Sequence, residues 1–135
     1  MTLDLDALLV LEHDTPRDVD LLLCIGGAYL RQRELKKCHA YYTRALEVDP
    51  DDGWTHLKMG NLAGLYSQED AEMHIRRAIE LMPDVACPYW CLADLYNKQG
   101  YWSRTEEYYR RAVEIDPSDV VAKSKLQDWL DNKPE

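Results

Sequence analysis

The chain has 135 residues, a formal net charge of −9 and charged residues at 30% of its positions. An acidic chain repels phosphate backbones and anionic bilayers, so we expect neither a nucleic acid nor a membrane as its partner. With hydrophobic residues at 46%, the composition also argues against an intrinsically disordered chain and favours a folded, helical one.

The terminal segment and the cysteines favour a cytoplasmic location. The N-terminal segment carries acids and no basic residue before Arg17, unlike a secretion signal. No apolar run in the sequence reaches the roughly 20 residues that a membrane span needs. The four cysteines lie inside helical patterns, where we expect reduced thiols that pack as small apolar side chains.

Apolar residues recur at helical intervals along the whole chain, beginning with a leucine-rich segment that ends before Pro16. The pattern predicts eight helices, with approximate bounds 2–12, 19–32, 35–48, 53–66, 69–82, 85–99, 102–115 and 119–131. Asp18, Asp51 or Asp52, and Ser118 are the expected N-caps, and Gly100 suits a left-handed helix terminus. We expect the last helix to pack through residues that include Val120, Val121 and Trp129, and residues 132–135 to be loose.

One order of small and large residues occurs three times. Each unit closes with a proline, and the prolines are 33 and 34 residues apart: Pro50, Pro83 and Pro117. Each unit also has a small residue at one shared position, where a neighbouring helix could cross closely: Gly26, Gly60 and Ala93. This period and this order resemble the tetratricopeptide repeat (TPR) family, over about Val19 to Ser118.

The resemblance implies an all-α fold, a right-handed superhelical solenoid of antiparallel helix pairs with a flanking helix at each end. We expect a half-repeat helix in residues 1–18, repeats at 19–50, 51–84 and 85–118, and a capping helix with a tail at 119–135. The second repeat should be the least regular, because it is one residue short between its helices. It also has Ala63 where the other copies have tyrosine, and we expect Leu62 or Tyr66 to fill that space.

No motif in the sequence supports catalysis, a metal site or a cofactor. Cys87 and Cys91 share a helix face and could supply half of a zinc site, but no second ligand pair exists. The four histidines are scattered, without a nucleophile and an acid beside them in the repeat pattern. Three repeat arginines each stand three residues before a glutamate, which predicts solvated ion pairs on the outer face: Arg44 with Glu47, Arg77 with Glu80, and Arg111 with Glu114.

In TPR proteins the first helices of the repeats line a concave groove. The residues that the resemblance places there, and that we select as the candidate partner-binding site, are Asp20, Leu23, Leu30, Trp54, Leu57, Asn61, Trp90, Asp94 and Asn97. Two tryptophans and three leucines exposed together would form an apolar patch, and such a patch usually marks a partner. The alternative is that the terminal helices fold over the groove and bury part of it.

These residues predict a non-catalytic module that binds a peptide or helix of another protein in an apolar groove, as an adaptor, scaffold or chaperone-like protein. The expected ligand has aliphatic residues and a basic flank for Asp20 and Asp94. The carboxylate clamp that some TPR proteins use for chaperone C-termini is missing, since of its positions only Lys58 carries a charge. The alternative function is self-association into a dimer or a stack through the apolar surfaces.

Overall fold

The computed structural model describes residues 4–15 and 17–134. Within these residues the chain forms eight helices and no strand. Their bounds are α1 Leu5–Asp14, α2 Val19–Arg31, α3 Leu35–Val48, α4 Gly53–Ala63, α5 Gln68–Leu81, α6 Ala86–Gln99, α7 Trp102–Ile115 and α8 Val120–Asn132. The connections are short, so consecutive helices pack as antiparallel neighbours in a row.

Short acidic side chains set where several helices begin. The carboxylates of Asp18 and Asp52 accept hydrogen bonds from the backbone amides of Leu21 and Thr55, which are free in the first helical turn. Gly100 ends α6 with a φ of 81°, a left-handed conformation that glycine adopts without a steric cost. These positions agree with the sequence prediction.

The predicted cap of the last helix is wrong by one residue. Asp119, and not Ser118, accepts from the first-turn amides of α8, and the Ser118 hydroxyl donates to Asp116. With α8 in this phase, Ala122 and Trp129 lie two turns apart on the buried face. Val120 and Val121 therefore point away from the fold and are 77% and 48% exposed, contrary to the predicted packing.

The second helix pair departs from the prediction where its first helix ends. α4 stops at Ala63, and the Ser67 amide returns to the Ala63 carbonyl over 2.7 Å before α5 begins. This tight connection leaves Tyr66 57% exposed, so Tyr66 does not fill the space beside Ala63. Leu62 is fully buried, but it packs in the cluster of Cys38 and Tyr42, towards the preceding helix pair.

The two terminal segments are tied to the stack by polar contacts. Glu12 of α1 accepts from the Tyr41 hydroxyl and the Arg44 guanidinium of α3. At the other end, the Lys133 ammonium lies 3.0 Å from the Glu106 carboxylate, so residue 133 is not loose as expected.

The arginine prediction holds for one pair of three. Arg77 pairs with Glu80 over 2.9 Å, as predicted. Arg44 is drawn to Glu12 instead, and Arg111 pairs with Glu107, one helical turn earlier on its own helix.

The helices of a pair cross closely at a position that holds glycine or alanine. A Cβ atom at Gly26 would lie 2.5 Å from the buried Tyr42 ring, and one at Gly60 would lie 2.6 Å from Ile75. Ala93 stands at the same place in the third pair and is completely buried. The small residue at this position is thus what allows the close contact, as its recurrence in the sequence indicated.

We expect Gly26→Ala to destabilise the fold, because an alanine Cβ overlaps the Tyr42 ring and overpacking costs about 1–3 kcal/mol. The neighbouring change Gly27→Ala is the matched control. Its Cβ meets the nearest atoms at 3.8 Å, and it should gain up to about 1 kcal/mol of helix propensity. Urea unfolding followed by circular dichroism measures both, and equal effects would contradict the close crossing.

Candidate partner-binding site

An open cavity of about 630 Å³ lies between α4 and α6, with one further residue contributed by each of α5 and α8. Six of the nine predicted site residues are in its wall: Trp54, Leu57, Asn61, Trp90, Asp94 and Asn97. We call this cavity the α4–α6 groove. The structure thus brings together the residues predicted from the second and third repeats.

The predicted residues of the first repeat lie outside this cavity. Asp20 is exposed in the first turn of α2. Leu23 and Leu30 are half-buried against the cluster that contains Cys38 and Tyr42. Their apolar atoms therefore contribute to the packing of α2 on its neighbours.

The apolar part of the groove is smaller than the sequence predicts. Leu57 is only 3% exposed and belongs to the core cluster with Ile75 and Leu92, so the expectation of an exposed leucine here is wrong. The cause is packing, since Leu57 contributes to this core cluster although it also lines the wall. Trp54 is 45% exposed at the start of the same helix, and it offers the largest apolar side chain open to solvent in the wall.

Trp90 differs from Trp54 because it is also a packing residue. Its half-buried side chain contacts three separate core clusters of the stack. The Lys125 ammonium of α8 lies 4.8 Å from the centre of its ring, a cation–π contact. α8 therefore covers part of the groove, which is the alternative that the sequence left open.

Asp94 is held within the protein rather than left free for a ligand. Its carboxylate accepts from the Tyr109 hydroxyl of α7 and lies 2.9 Å from the Lys125 ammonium of α8. Burial, together with the hydrogen bond to this carboxylate, raises the pKa of Tyr109. Asp94 thus joins three helices, and its charge is already matched by a lysine.

Three lysines in the groove wall were not included in the predicted site: Lys58, Lys98 and Lys125. Lys58 follows Trp54 by four residues, and Lys98 follows Asp94 by four, so each lies on the helix face of a predicted site residue. That spacing is the signal that could have found the first two. Lys125 belongs to a different helix, and only the packing of α8 brings it here.

The two cysteines of α6 lie in the same wall. Their sulfur atoms are 4.0 Å apart, and the hydrogen bond with Cys87, together with burial, raises the pKa of Cys91. Cys24 is exposed on α2 and does not line the groove. In the part of the chain that the structure describes, no three His, Cys, Asp or Glu side chains are arranged to hold a metal ion.

Two segments match models of one family, described as tetratricopeptide repeat, at residues 19–52 and 89–119. The chain belongs to the TPR family. Its fold is accordingly an all-α solenoid of TPR helix pairs, consistent with about three repeats.

Two curated relatives share parts of this TPR chain. A Caenorhabditis elegans protein named Protein O-mannosyl-transferase F38B6.6 is 31% identical over 85 residues, which are 62% of this chain and 12% of the relative. A Dictyostelium discoideum protein named Protein STIP1 homolog is 26% identical over 107 residues, 76% of this chain and 18% of the relative. This chain therefore spans less than a fifth of either relative's length.

Solved TPR structures have the same helix arrangement. TTC0263, a thermophilic TPR protein of Thermus thermophilus, superposes with a TM-score of 0.87 at 25% identity, over 95% of this chain and 72% of that one. The first TPR of Spaghetti (RPAP3), bound to the HSP90 peptide SRMEEVD, gives a TM-score of 0.71 at 18% identity, over 84% and 90% of the two chains. The second likeness is one of fold alone.

No helix among residues 4–15 and 17–134 of this TPR chain has both the length and the apolar character of a membrane span.

A histidine pair that the sequence did not predict lies between α4 and α5, outside the α4–α6 groove. The Nδ1 atoms of His56 and His74 are 3.4 Å apart, and Nε2 of His56 lies 2.9 Å from the Pro50 carbonyl oxygen. If Nε2 of His56 donates to that carbonyl, its Nδ1 is left to accept from His74. Burial first, and then the positive charge of a protonated His56, lower the pKa of His74, against a weaker opposite effect of Asp70.

We expect this TPR domain to lose stability as the pH falls below the ordinary histidine pKa of 6.5. The unfolded chain then binds a proton at His74 that the folded chain resists, and the free energy of unfolding decreases until the lowered folded pKa is passed. His74→Gln should flatten this part of the profile, measured by urea unfolding over a pH series. An unchanged slope in the His74→Gln variant would contradict this cause.

Proposed function

We propose that this TPR chain is a non-catalytic adaptor or scaffold that holds a peptide or helix of another protein in the α4–α6 groove. The observation that carries the proposal is Trp54, a large aromatic side chain 45% exposed in the wall of an open cavity. Tryptophans in such positions supply a large share of interface energy, since one indole buries a wide apolar area at little entropic cost.

Two of the similar proteins support a protein partner. One solved TPR neighbour is bound to a peptide, and one relative is named as a STIP1 homologue. The same proposal includes a cytoplasmic location and the absence of any cofactor. It also includes the division into repeats at 19–50, 51–84 and 85–118. The transferase name of the other relative carries no weight, because this chain spans 12% of it.

Alanine substitutions at the two groove tryptophans should affect peptide affinity and the free energy of unfolding differently. Peptides selected from a random dodecapeptide library displayed on phage would serve as probes, and fluorescence anisotropy would measure their affinity. Trp54→Ala should cost about 2 kcal/mol or more in binding and about 0.5 kcal/mol or less in stability. Trp90→Ala should lower the free energy of unfolding by about 2 kcal/mol or more, since it removes packing from three clusters.

Trp102→Ala is the matched control, since Trp102 is 43% exposed on α7 and does not line the groove. Its binding should equal that of the unchanged protein. Peptides that bind equally well to the Trp54→Ala variant would place the site elsewhere and contradict the proposal.

Self-association is the second candidate, favoured by apolar residues exposed at both ends of the stack. Val10 of α1 is 69% exposed and Val120 of α8 is 77% exposed. Against it, α8 carries Lys123 and Gln127 at the positions where a repeat packs its second helix, so a further helix would bury polar groups there.

Sedimentation equilibrium at two protein concentrations distinguishes the candidates. If the groove binds a different protein, the molecular mass should be the same at both concentrations, because copies of this chain would not associate with one another. A mass that rises with concentration, and returns to that of the monomer in the Val120→Ser, Val121→Ser double variant, would support self-association.

A further inference from the structure

The side chains of the α4–α6 groove have the opposite charge balance from the chain as a whole. The chain carries a net charge of −9. Yet the described groove wall contains three lysines, Lys58, Lys98 and Lys125, and one acid, Asp94. A groove lined by one sign of charge attracts ligand groups of the other sign, and the low-dielectric walls strengthen the effect.

The negative charges at the groove are already used by the protein. Asp94 pairs with Lys125 and accepts from Tyr109. The charge of Asp119 also reaches Cys87 in the wall, but its carboxylate accepts from two backbone amides as the N-cap of α8. A basic ligand would therefore have to compete with bonds inside the protein.

The remaining positive charges are open to solvent. Lys58 and Lys98 are both exposed, and neither forms an ion pair within residues 4–15 and 17–134. A ligand carboxylate could meet either ammonium without displacing an existing partner.

Each of the two exposed lysines follows a groove tryptophan on the same helix. Lys58 follows Trp54 by four residues on α4, one helical turn along the same face. Lys98 follows Trp90 by eight residues on α6, which is about 12 Å along the helix axis. α4 and α6 are alternate helices of an antiparallel row and therefore run in the same direction. The direction from the indole to the ammonium is thus the same on both helices. In an extended peptide, at about 3.3 Å per residue, these steps correspond to about two to four residues.

We propose that the groove binds an acidic segment of a partner protein, with an aliphatic residue on Trp54 and Asp or Glu side chains two to four residues away on Lys58 and Lys98. This inference rests on the proposed function and names the chemistry of its ligand. It replaces the basic flank expected from the sequence, because Asp94 is paired and Asp20 lies outside the groove. The segment needs no free C-terminus, since the carboxylate-clamp positions hold Leu23, Gly27, Cys87 and Cys91 beside Lys58.

The test uses a random dodecapeptide library fused at its C-terminal end to a phage coat protein, so that no peptide has a free C-terminal carboxylate. It is panned on the unchanged 135-residue chain and on the Trp54→Ala variant. The enriched pool should gain Asp and Glu and lose Lys and Arg, with an aliphatic residue two to four positions from an acid. This enrichment should disappear on Trp54→Ala.

The contribution of the lysines is measured with the best acidic peptide by fluorescence anisotropy. The Lys58→Glu, Lys98→Glu double variant should weaken binding by about tenfold or more, because it replaces two attractions with two repulsions. The Lys36→Glu, Lys123→Glu double variant has the same net charge and changes exposed lysines that do not line the groove. It should bind within about twofold of the unchanged protein.

The outcomes separate this inference from the proposed function. A pool that depends on Trp54 but is neutral or basic would overturn the acidic ligand and leave the groove as the binding site. The same holds if both double variants weaken binding equally, since that would reflect net charge alone. A pool that is enriched equally on the Trp54→Ala variant, or no enrichment on the unchanged protein, would overturn both.

Discussion

The close crossing of two helices at one small residue is the constraint on which the stack depends. At Gly26 and Gly60 there is no room for a Cβ atom beside the facing side chain, and in the third pair Ala93 occupies the same place. A helix loses stability when it contains glycine, so this residue is tolerated in return for dense packing between the helices. When each pair is packed closely in this way, the first helices of successive pairs lie along the same side of the stack.

The α4–α6 groove exists on that shared side, and the last helix determines how much of it is open. Asp94 connects α6 to Tyr109 of α7 and to Lys125 of α8, which also contacts Trp90. α8 is thus more than an end cap with a polar outer face. It fixes one indole against the fold and contributes a charge to the wall of the groove.

The charge balance of the groove is opposite in sign to the net charge of the chain. Acids are spread over the surface and at the helix starts, where they cap backbone amides, as Asp18, Asp52 and Asp119 do. Lysines lie in the wall of the groove. A chain with a negative net charge can therefore still attract a carboxylate to the groove, since charges beyond about 8–10 Å are screened at ordinary salt.

The sequence by itself determined the helices and their pairing, because helix formation follows from local periodicity, caps and glycine positions. The bounds of α3 and α7 were predicted to the residue, and Gly26 and Gly60 were recognised as crossing points. The family followed from the same repeats. The second repeat is one residue short between its helices, and this difference was the sequence signal for the early end of α4.

Only the tertiary structure decided which groove residues are open and which charges are free. The repeat pattern places Leu57, Trp54 and Asp94 on one side of their helices, but it does not say that Leu57 is buried or that Asp94 has partners. Exposure and pairing depend on side chains from distant parts of the chain. Lys125, which lies 31 positions from Asp94, reaches it because α8 folds back over α6. A contact of that range is set by packing, and no local pattern encodes it.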